Sequence, residues 1–216
     1  MIDPVIDISH WQDPEPDLAP LHQAGIIGVI HKATESTGYV DEHYAHRKDI
    51  SLREGFLWGA YHFLRPGNMQ TQAQHFVRTA GDIDLYAADH EDAGVSLDDL
   101  KEFLREVSRL TGKDQLVIYS GHVLKEQLSG HGRDEELAGH RLWLAHYTTG
   151  TPTWPTATWP QWWLWQHTDK GTIPGIDQKV DRNKYQGTAD QLVADWTGDD
   201  AGDGDASLRK RLSSSR

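Results

Sequence analysis

Three acidic residues follow a short apolar run in the middle of the sequence. Residues 85–88 have the length and composition of a buried strand, and Asp89, Glu91 and Asp92 come directly after them. Side chains alternate along a strand, so Asp89 and Glu91 share one face with Cα atoms about 6.5 to 7 Å apart, while His90 points away. Such a pair is costly unless it is solvated, paired or used in chemistry. A strand that simply emerges into solvent is the alternative interpretation.

Two further acids occupy similar places near the two ends of the chain. Asp7 lies within the strand pattern of residues 5–9, and Asp181 follows that of residues 176–180. A single aspartate can merely cap a turn. Several carboxylates at one rim, with aromatic rings between them, are instead the ingredients of a carbohydrate site. Lys32, at the end of another strand pattern, could serve these acids as a charge partner.

Alternating strand and helix patterns must position these residues. Strand patterns cover residues 5–9, 28–34, 56–64, 85–88, 116–119, 142–147, 162–167 and 176–180, and helical patterns cover 18–24, 42–54, 68–80, 96–111, 123–128 and 188–196. This alternation indicates a parallel sheet covered on both faces. Eight strands with few helices among the last three predict an α/β fold, an irregular and partly truncated TIM-like (β/α) barrel. A doubly wound open sheet is the alternative.

In such a barrel, the chemistry lies at the carboxyl ends of the strands. Nearly every strand end here contributes an acid, an aromatic residue or an amide. The same alternation places Lys32 and Thr34 on one face of the second strand. The candidate substrate contacts at these ends are Tyr61, Tyr119, Lys32, Trp143, Tyr147, Trp165 and Gln166.

The composition argues against several other classes of protein. A formal net charge of −12 disfavours nucleic acid as the main partner and nonspecific adhesion to anionic membranes. The chain has no Cys, which excludes disulfides and thiolate metal sites. It has 13 His but no HExxH motif, and we expect neither a metal nor another cofactor. It also has no P-loop, no Gly-x-Gly-x-x-Gly and no Gly-x-Ser-x-Gly motif.

The chain divides into a catalytic domain, residues 1–197, and a tail, residues 198–216, that is acidic and then basic. The composition of the tail predicts disorder. Residues 1–10 have no basic n-region and no long apolar stretch, so we expect no signal peptide and no membrane insertion. The expected protein is a monomer that stays in the cytoplasm until it is released.

Taken together, the motifs resemble the glycoside hydrolase family 25 lysozymes, which are N-acetylmuramidases. They occur in the order of the family and span most of residues 3–187. The segments that carry the resemblance are Asp7-Ile8-Ser9-His10-Trp11-Gln12, Lys32-Ala33-Thr34-Glu35, Gly59-Ala60-Tyr61-His62-Phe63, Asp89-His90-Glu91, Trp143-Leu144-Ala145-His146-Tyr147, Trp165-Gln166 and Val180-Asp181-Arg182-Asn183.

The resemblance implies a β/α barrel that cleaves the β-1,4 bond between N-acetylmuramic acid and N-acetylglucosamine in peptidoglycan, with retention. It implies Glu91 as the general acid/base and Asp89 as the carboxylate that steers the 2-acetamido group of the substrate. The remaining implied roles are an acidic floor for Asp7 and Asp181, and contact with the reacting sugar for Tyr61 and Tyr119. A phage endolysin and a bacterial autolysin both fit this description.

Two alternatives to a muramidase remain open from the sequence. A chitinase-like glycosidase could use a similar barrel, but that family has a further acid two residues upstream, where this chain has Ala87. A catalytically silent peptidoglycan-binding module is the other alternative. The presence of Asp7, Asp89, Glu91 and Asp181 together argues against it.

Overall fold

A computed structural model describes residues 1–12 and 17–198. Strands and helices alternate through most of this part of the chain, as the sequence predicts. In chain order the elements are β1 Ile2–Ile8, α1 Ala19–Gln23, β2 Gly28–Glu35, β3 Tyr39–Val40, α2 Tyr44–Arg53, β4 Leu57–Phe63, α3 Met69–Ala80, β5 Leu85–Asp89, α4 Leu97–Thr111, β6 Val117–Ser120, α5 His122–Gln127, a short 3₁₀ helix Leu137–Gly139, β7 Arg141–Ala145, β8 Leu164–Ile173, β9 Ile176–Tyr185 and α6 Ala189–Thr197.

Eight strands close into a barrel in the order β1-β9-β8-β7-β6-β5-β4-β2, and pairing of β1 with β2 completes the ring. The predicted irregular barrel is therefore confirmed, and the open sheet is excluded. The parallel direction inferred for the whole sheet is wrong at one strand, because β9 runs antiparallel to both β8 and β1. Only residues 174 and 175 separate β8 from β9. A parallel pair needs a crossover of a dozen or more residues, so these two strands form a hairpin.

The end of β2 departs from regular alternation. The register with β4 shifts between Lys32 and Thr34, because Ala33 is an extra residue there. Thr34 consequently turns away from the barrel interior, and its Oγ1 lies 2.7 Å from His62 Nδ1. The prediction that Lys32 and Thr34 share a face is therefore wrong. Beyond this bulge, β3 adds a short antiparallel strand to the end of β2.

Two layers of apolar side chains hold the barrel together, one inside it and one between its outer face and the helices. Helix α6 contributes to the inner layer through Trp196, whose indole approaches Gly28 and Gly59. A Cβ at either glycine would lie 3.2 Å or less from that ring, so the glycines make room for it. The amino-terminal end of the barrel is thus filled, which leaves the carboxyl end for a site.

The predicted tail lies outside the described residues except for Gly198, which caps α6 in a left-handed conformation. The boundary between domain and tail stays a prediction. Within residues 1–12 and 17–198, no helix is both long and apolar enough to cross a membrane.

Candidate active site

A cavity of about 290 Å³ opens at the carboxyl ends of the barrel strands. It contains all four acids that the sequence predicts for catalysis and six of the seven predicted substrate contacts. No histidine of the described residues lines it, although six histidines lie near strand ends. The lining residues are Asp7, Ser9, Trp11, Gln12, Lys32, Tyr61, Phe63, Asp89, Glu91, Tyr119, Trp143, Tyr147, Gln166 and Asp181.

Strand β5 and its neighbours position the central pair of acids. Asp89 is the last residue of β5 and pairs with Phe63 on one side and Tyr119 on the other. His90 is fully buried between the pair, and its backbone N–H donates to Tyr119 O at 2.9 Å. Its Nε2 lies 2.7 Å from Gln127 Oε1. His90 therefore anchors the segment from outside the cavity, while Asp89 and Glu91 face into it.

The second pair of acids faces each other across the antiparallel ladder of β1 and β9. Asp7 and Asp181 are directly opposite partners. Two amides hold Asp7: Gln166 Nε2 donates to its two oxygens at 3.1 and 3.0 Å, and Asn183 Nδ2 donates to Oδ2 at 2.8 Å. No such amide contacts Asp181 within the part of the chain that is described. Like charges directly opposite repel, so the two carboxylates disfavour each other's ionisation.

Tyrosine and tryptophan side chains fix the orientation of both amides. The hydroxyls of Tyr119 and Tyr147 each donate to Gln166 Oε1 at 2.7 Å, so the NH₂ group of Gln166 faces Asp7. Trp143 Nε1 donates to Asn183 Oδ1 at 2.6 Å, with the same consequence. The floor of the cavity is therefore a connected network in which aromatic groups orient amides and the amides hold a carboxylate.

Burial is the main cause of raised pKa values in this site. It raises the pKa of Asp7 to about 6 and that of Asp181 to about 8, and repulsion by neighbouring acids adds to both shifts. Burial and the charge of Glu91 raise the pKa of Asp89 well above 3.8. Burial also raises the pKa of Glu91, against an opposing effect of His122. A carboxyl group with a raised pKa keeps its proton closer to neutral pH, as a general acid requires.

Lys32 is the one basic residue that lines the cavity within the described part of the chain. Its Nζ lies 2.6 Å from Glu35 Oε2, so its direct partner is not one of the four site acids. Its charge nevertheless lowers the pKa of Asp89. Glu35 also pairs with Arg65 at 2.8 Å, and Arg65 pairs with Asp92 at 3.1 Å. This chain of ion pairs joins the ends of β2, β4 and β5 at the rim.

The structure does not bring Trp165 into the cavity, contrary to its prediction as a substrate contact. Trp165 and Gln166 are neighbours on β8, and their side chains alternate, so Gln166 points inward and Trp165 outward. Trp165 Nε1 donates to His146 O at 2.7 Å, and Lys184 Nζ lies 4.7 Å from its ring centroid. The residue is buried in the outer apolar layer.

Several residues of the site have no predicted role. Ser9, Trp11, Gln12 and Phe63 line the cavity, and Asn183 supports Asp7 from below. Ser9 shares the face of Asp7 on the first strand pattern, which is a usable signal. Asn183 carries no signal of this kind, because its strand pattern ends at residue 180 in the sequence while β9 continues to Tyr185. Its one signal is its place in the segment Val180-Asp181-Arg182-Asn183, which contributes to the family resemblance.

Residues 6–176 match the sequence profile of the glycosyl hydrolases family 25. The uncharacterized protein YegX of Escherichia coli (strain K12) is 31% identical over 203 residues, which cover 88% of this chain and 71% of that protein. Lysozyme M1 of Streptomyces globisporus is 28% identical over 208 residues, covering 88% of this chain and 69% of that protein.

The fold has close counterparts among solved structures. The bacterial lysozyme from Streptomyces coelicolor superposes with a TM-score of 0.81 at 27% sequence identity, over 90% of this chain and 97% of that chain. The family profile spans most of the chain, from the first barrel strand to the start of the last. The chain belongs to glycosyl hydrolase family 25.

Proposed function

We propose that the protein is a muramidase that hydrolyses the β-1,4 bond between N-acetylmuramic acid and N-acetylglucosamine in peptidoglycan, with Glu91 as general acid/base. Membership of the family and similarity to lysozymes support a muramidase. The resemblance to the family assigns this role to Glu91, and two observations support it: Glu91 shares a cavity with Asp89, Asp7 and Asp181, and its pKa is raised.

The first step is proton transfer from Glu91 to the glycosidic oxygen. Protonation makes the departing sugar a better leaving group, and it requires a carboxyl group that is still protonated near neutral pH. Burial raises the pKa of Glu91 and so moves the group toward that condition. In the second step the same group, now a carboxylate, removes a proton from the water that attacks C1. Glu91 thereby returns to its starting state.

Asp89 steers the 2-acetamido group of the substrate. In this proposal the carboxyl group of Asp89, which lines the cavity, accepts the N–H of that group. The acetamido carbonyl oxygen then attacks C1 as the C1–O bond breaks, giving a cyclic intermediate bonded through that oxygen. Water opens this intermediate from the other face. Two displacements at C1 leave its configuration retained.

The floor of the cavity stabilises the positive charge that develops on the sugar ring. Asp7 is held in place by Gln166 and Asn183, and Asp181 lies opposite it. The carboxylate of Asp7, fixed in this way, needs no reorganisation when charge develops. Tyr61, Tyr119, Trp143 and Tyr147 complete the lining and offer ring faces and hydroxyls to the sugars. In this proposal the enzyme acts as a monomer, is held in the cytoplasm until released, and meets its substrate in the bacterial cell wall.

Digestion of purified peptidoglycan tests the assignment. The native chain is expected to release fragments with muramic acid reducing ends, and Glu91→Gln to release about 10³-fold fewer, because the amide cannot donate the proton. Glu135→Gln is the matched control. Glu135 is an exposed carboxylate that pairs with Arg133, and this variant should retain native activity. Glucosamine reducing ends would indicate a different bond specificity. Undiminished activity in Glu91→Gln would remove Glu91 from the mechanism.

A further inference from the structure

Three large aromatic side chains are exposed among the described residues, and all three lie around the catalytic cavity. Trp11 is 77% exposed, Tyr147 is 52% exposed and Tyr39 is 41% exposed. Trp11 and Tyr147 line the cavity, and Lys32 Nζ, also in the lining, lies 5.2 Å from the ring centroid of Tyr39. The other described tryptophans are at least partly buried. Exposed aromatic surface gathered at one rim marks an interaction site.

His10, Trp11 and Tyr39 form a group that we call the rim aromatic cluster. The ring centroids of His10 and Trp11 are 4.8 Å apart, and those of His10 and Tyr39 are 6.1 Å apart. The hydroxyl of Tyr39 lies 3.1 Å from His10 Nδ1. The cluster therefore extends from the cavity wall at Trp11 outward to β3, which carries Tyr39 and is not itself part of the closed barrel.

Buried polar contacts hold the loop that carries Trp11. Arg47 is 1% exposed, and its guanidinium donates to Ser9 O at 2.7 Å and to Gln12 O at 3.0 Å, on either side of Trp11. The backbone N–H of His10 donates to Asp41 Oδ2 at 2.9 Å. An exposed ring on a fixed backbone loses little conformational freedom when it binds a ligand. These contacts thus hold the backbone of the loop, and the indole of Trp11 remains available to bind a ligand.

From this arrangement, and on the basis of the function proposed above, we infer that the rim aromatic cluster binds a further sugar of the glycan strand, outside the pair that reacts. The substrate is a polymer, so a strand whose reacting bond lies at Glu91 must continue beyond the cavity. Sugar rings present C–H faces that pack on aromatic rings, and Trp11 and Tyr39 offer such surface where the cavity ends. The cluster would make the enzyme prefer long strands to short ones.

Substrate length tests the inference. We would compare kcat/KM on long peptide-free glycan strands with kcat/KM on the tetrasaccharide of the same repeat. The ratio normalises for the fraction of folded enzyme. Trp11→Ala and Tyr39→Ala are each expected to lower the ratio up to about tenfold, the effect of losing one aromatic contact. Tyr39→Phe keeps the ring and should keep the native ratio, and Leu110→Ala is the control for an exposed apolar side chain on α4, far from the rim in sequence.

The outcomes separate this inference from the proposed function. Failure of the native chain to cleave either substrate would refute the muramidase assignment. Cleavage of both with a ratio that Trp11→Ala and Tyr39→Ala leave unchanged would overturn the cluster alone. Equal losses on both substrates would place these residues at the reacting sugars instead. If the variants lowered kcat/KM only on strands that still carry stem peptides, the cluster would bind the peptide instead of a sugar, which also contradicts the inference.

Discussion

At the scale of single residues, the site concentrates groups that the folded chain tolerates poorly. Asp7 and Asp181 are opposite partners on adjacent strands, and both are removed from much of the solvent. Hydrogen bonds from amide donors offset part of the effect of burial on the pKa of Asp7. Asp181 has no such donors among the described residues and keeps the larger pKa shift, to about 8. A carboxyl group whose pKa is higher in the folded state stabilises that state only while it is protonated. The role proposed for Asp181 therefore costs stability.

Replacing Asp181 by Asn should stabilise the protein in a pH-dependent way. Below pH 3.8 the carboxyl is protonated in both the folded and unfolded states, so the variant gains nothing. Between pH 3.8 and about 8 the unfolded chain releases the proton first, and native stability falls as pH rises. Asn does not ionise. We expect the melting temperature of Asp181→Asn to exceed the native value by about 2 to 4 °C at pH 8, as about 1 kcal/mol would produce.

Thermal unfolding monitored by circular dichroism at pH 4, 6 and 8 measures this difference. Asp114→Asn is the control, because Asp114 is an exposed loop residue and its replacement should give the same small difference at each pH. If the melting temperature of Asp181→Asn exceeded the native value by the same amount at pH 4 and pH 8, the electrostatic explanation would be contradicted. The variant should also lose glycosidase activity, since the floor of the cavity loses one carboxyl group.

At the scale of elements, the β8–β9 hairpin contributes much of the cavity floor. Gln166 comes from β8, and Asp181 and Asn183 come from β9. The turn of the hairpin docks on the segment before α1, where Asp17 N donates to Gly175 O at 2.9 Å. Gly175 has φ +92°, and a Cβ there would lie 2.0 Å from Asp17 O. This glycine is required both for its backbone conformation and for the close approach of another segment.

Gly175→Ala should destabilise the protein by about 1 to 3 kcal/mol, because the strained φ and the steric conflict act together. Gly25→Ala separates the two causes, since Gly25 has φ +81° but a Cβ there would meet nothing within 4 Å, and this variant should lose only about 1 kcal/mol. Gly132→Ala, at an ordinary φ with open space, serves as the neutral control. Urea unfolding of the native protein and the three variants gives the change in the free energy of unfolding for each substitution. Equal losses for Gly175→Ala and Gly25→Ala would show that the docking of the hairpin turn contributes nothing.

The elements also show which parts of the site the sequence can predict. Buried strands that end in acids locate Asp7, Asp89 and Glu91, since two-residue periodicity and the barrel rule together determine the face and the rim. Periodicity fails for Thr34, because a bulge leaves no mark in the pattern of residue types. For Trp165, periodicity correctly separates its face from that of Gln166 but does not say which of the two residues faces the cavity, because tryptophan suits an outer apolar layer as well as a sugar site. Both failures concern orientation, which depends on partners distant in sequence.

At the scale of the whole molecule, the charge of the chain matters for reaching the substrate. The formal net charge is −12, and the acids at the catalytic rim outnumber Lys32, the one lining residue with a basic side chain in the described part of the chain. Bacterial walls that carry anionic polymers repel such a protein at long range. The repulsion extends about 30 Å at 0.01 M ionic strength and about 8 Å at 0.15 M. Salt should therefore change the rate of encounter rather than the chemistry.

We expect lysis of intact walls to become severalfold faster as ionic strength rises from 0.01 to 0.15 M, because screening shortens the range of the repulsion. The release of reducing ends from a wall suspension at fixed pH measures the rate. Walls from which the anionic polymers have been extracted are the matched control, and their digestion should depend much less on salt. A rate on intact walls that falls with salt would instead reveal local attraction strong enough to outweigh the net charge of −12. The sign of the salt dependence thus decides whether overall charge or a local basic surface governs approach to the wall.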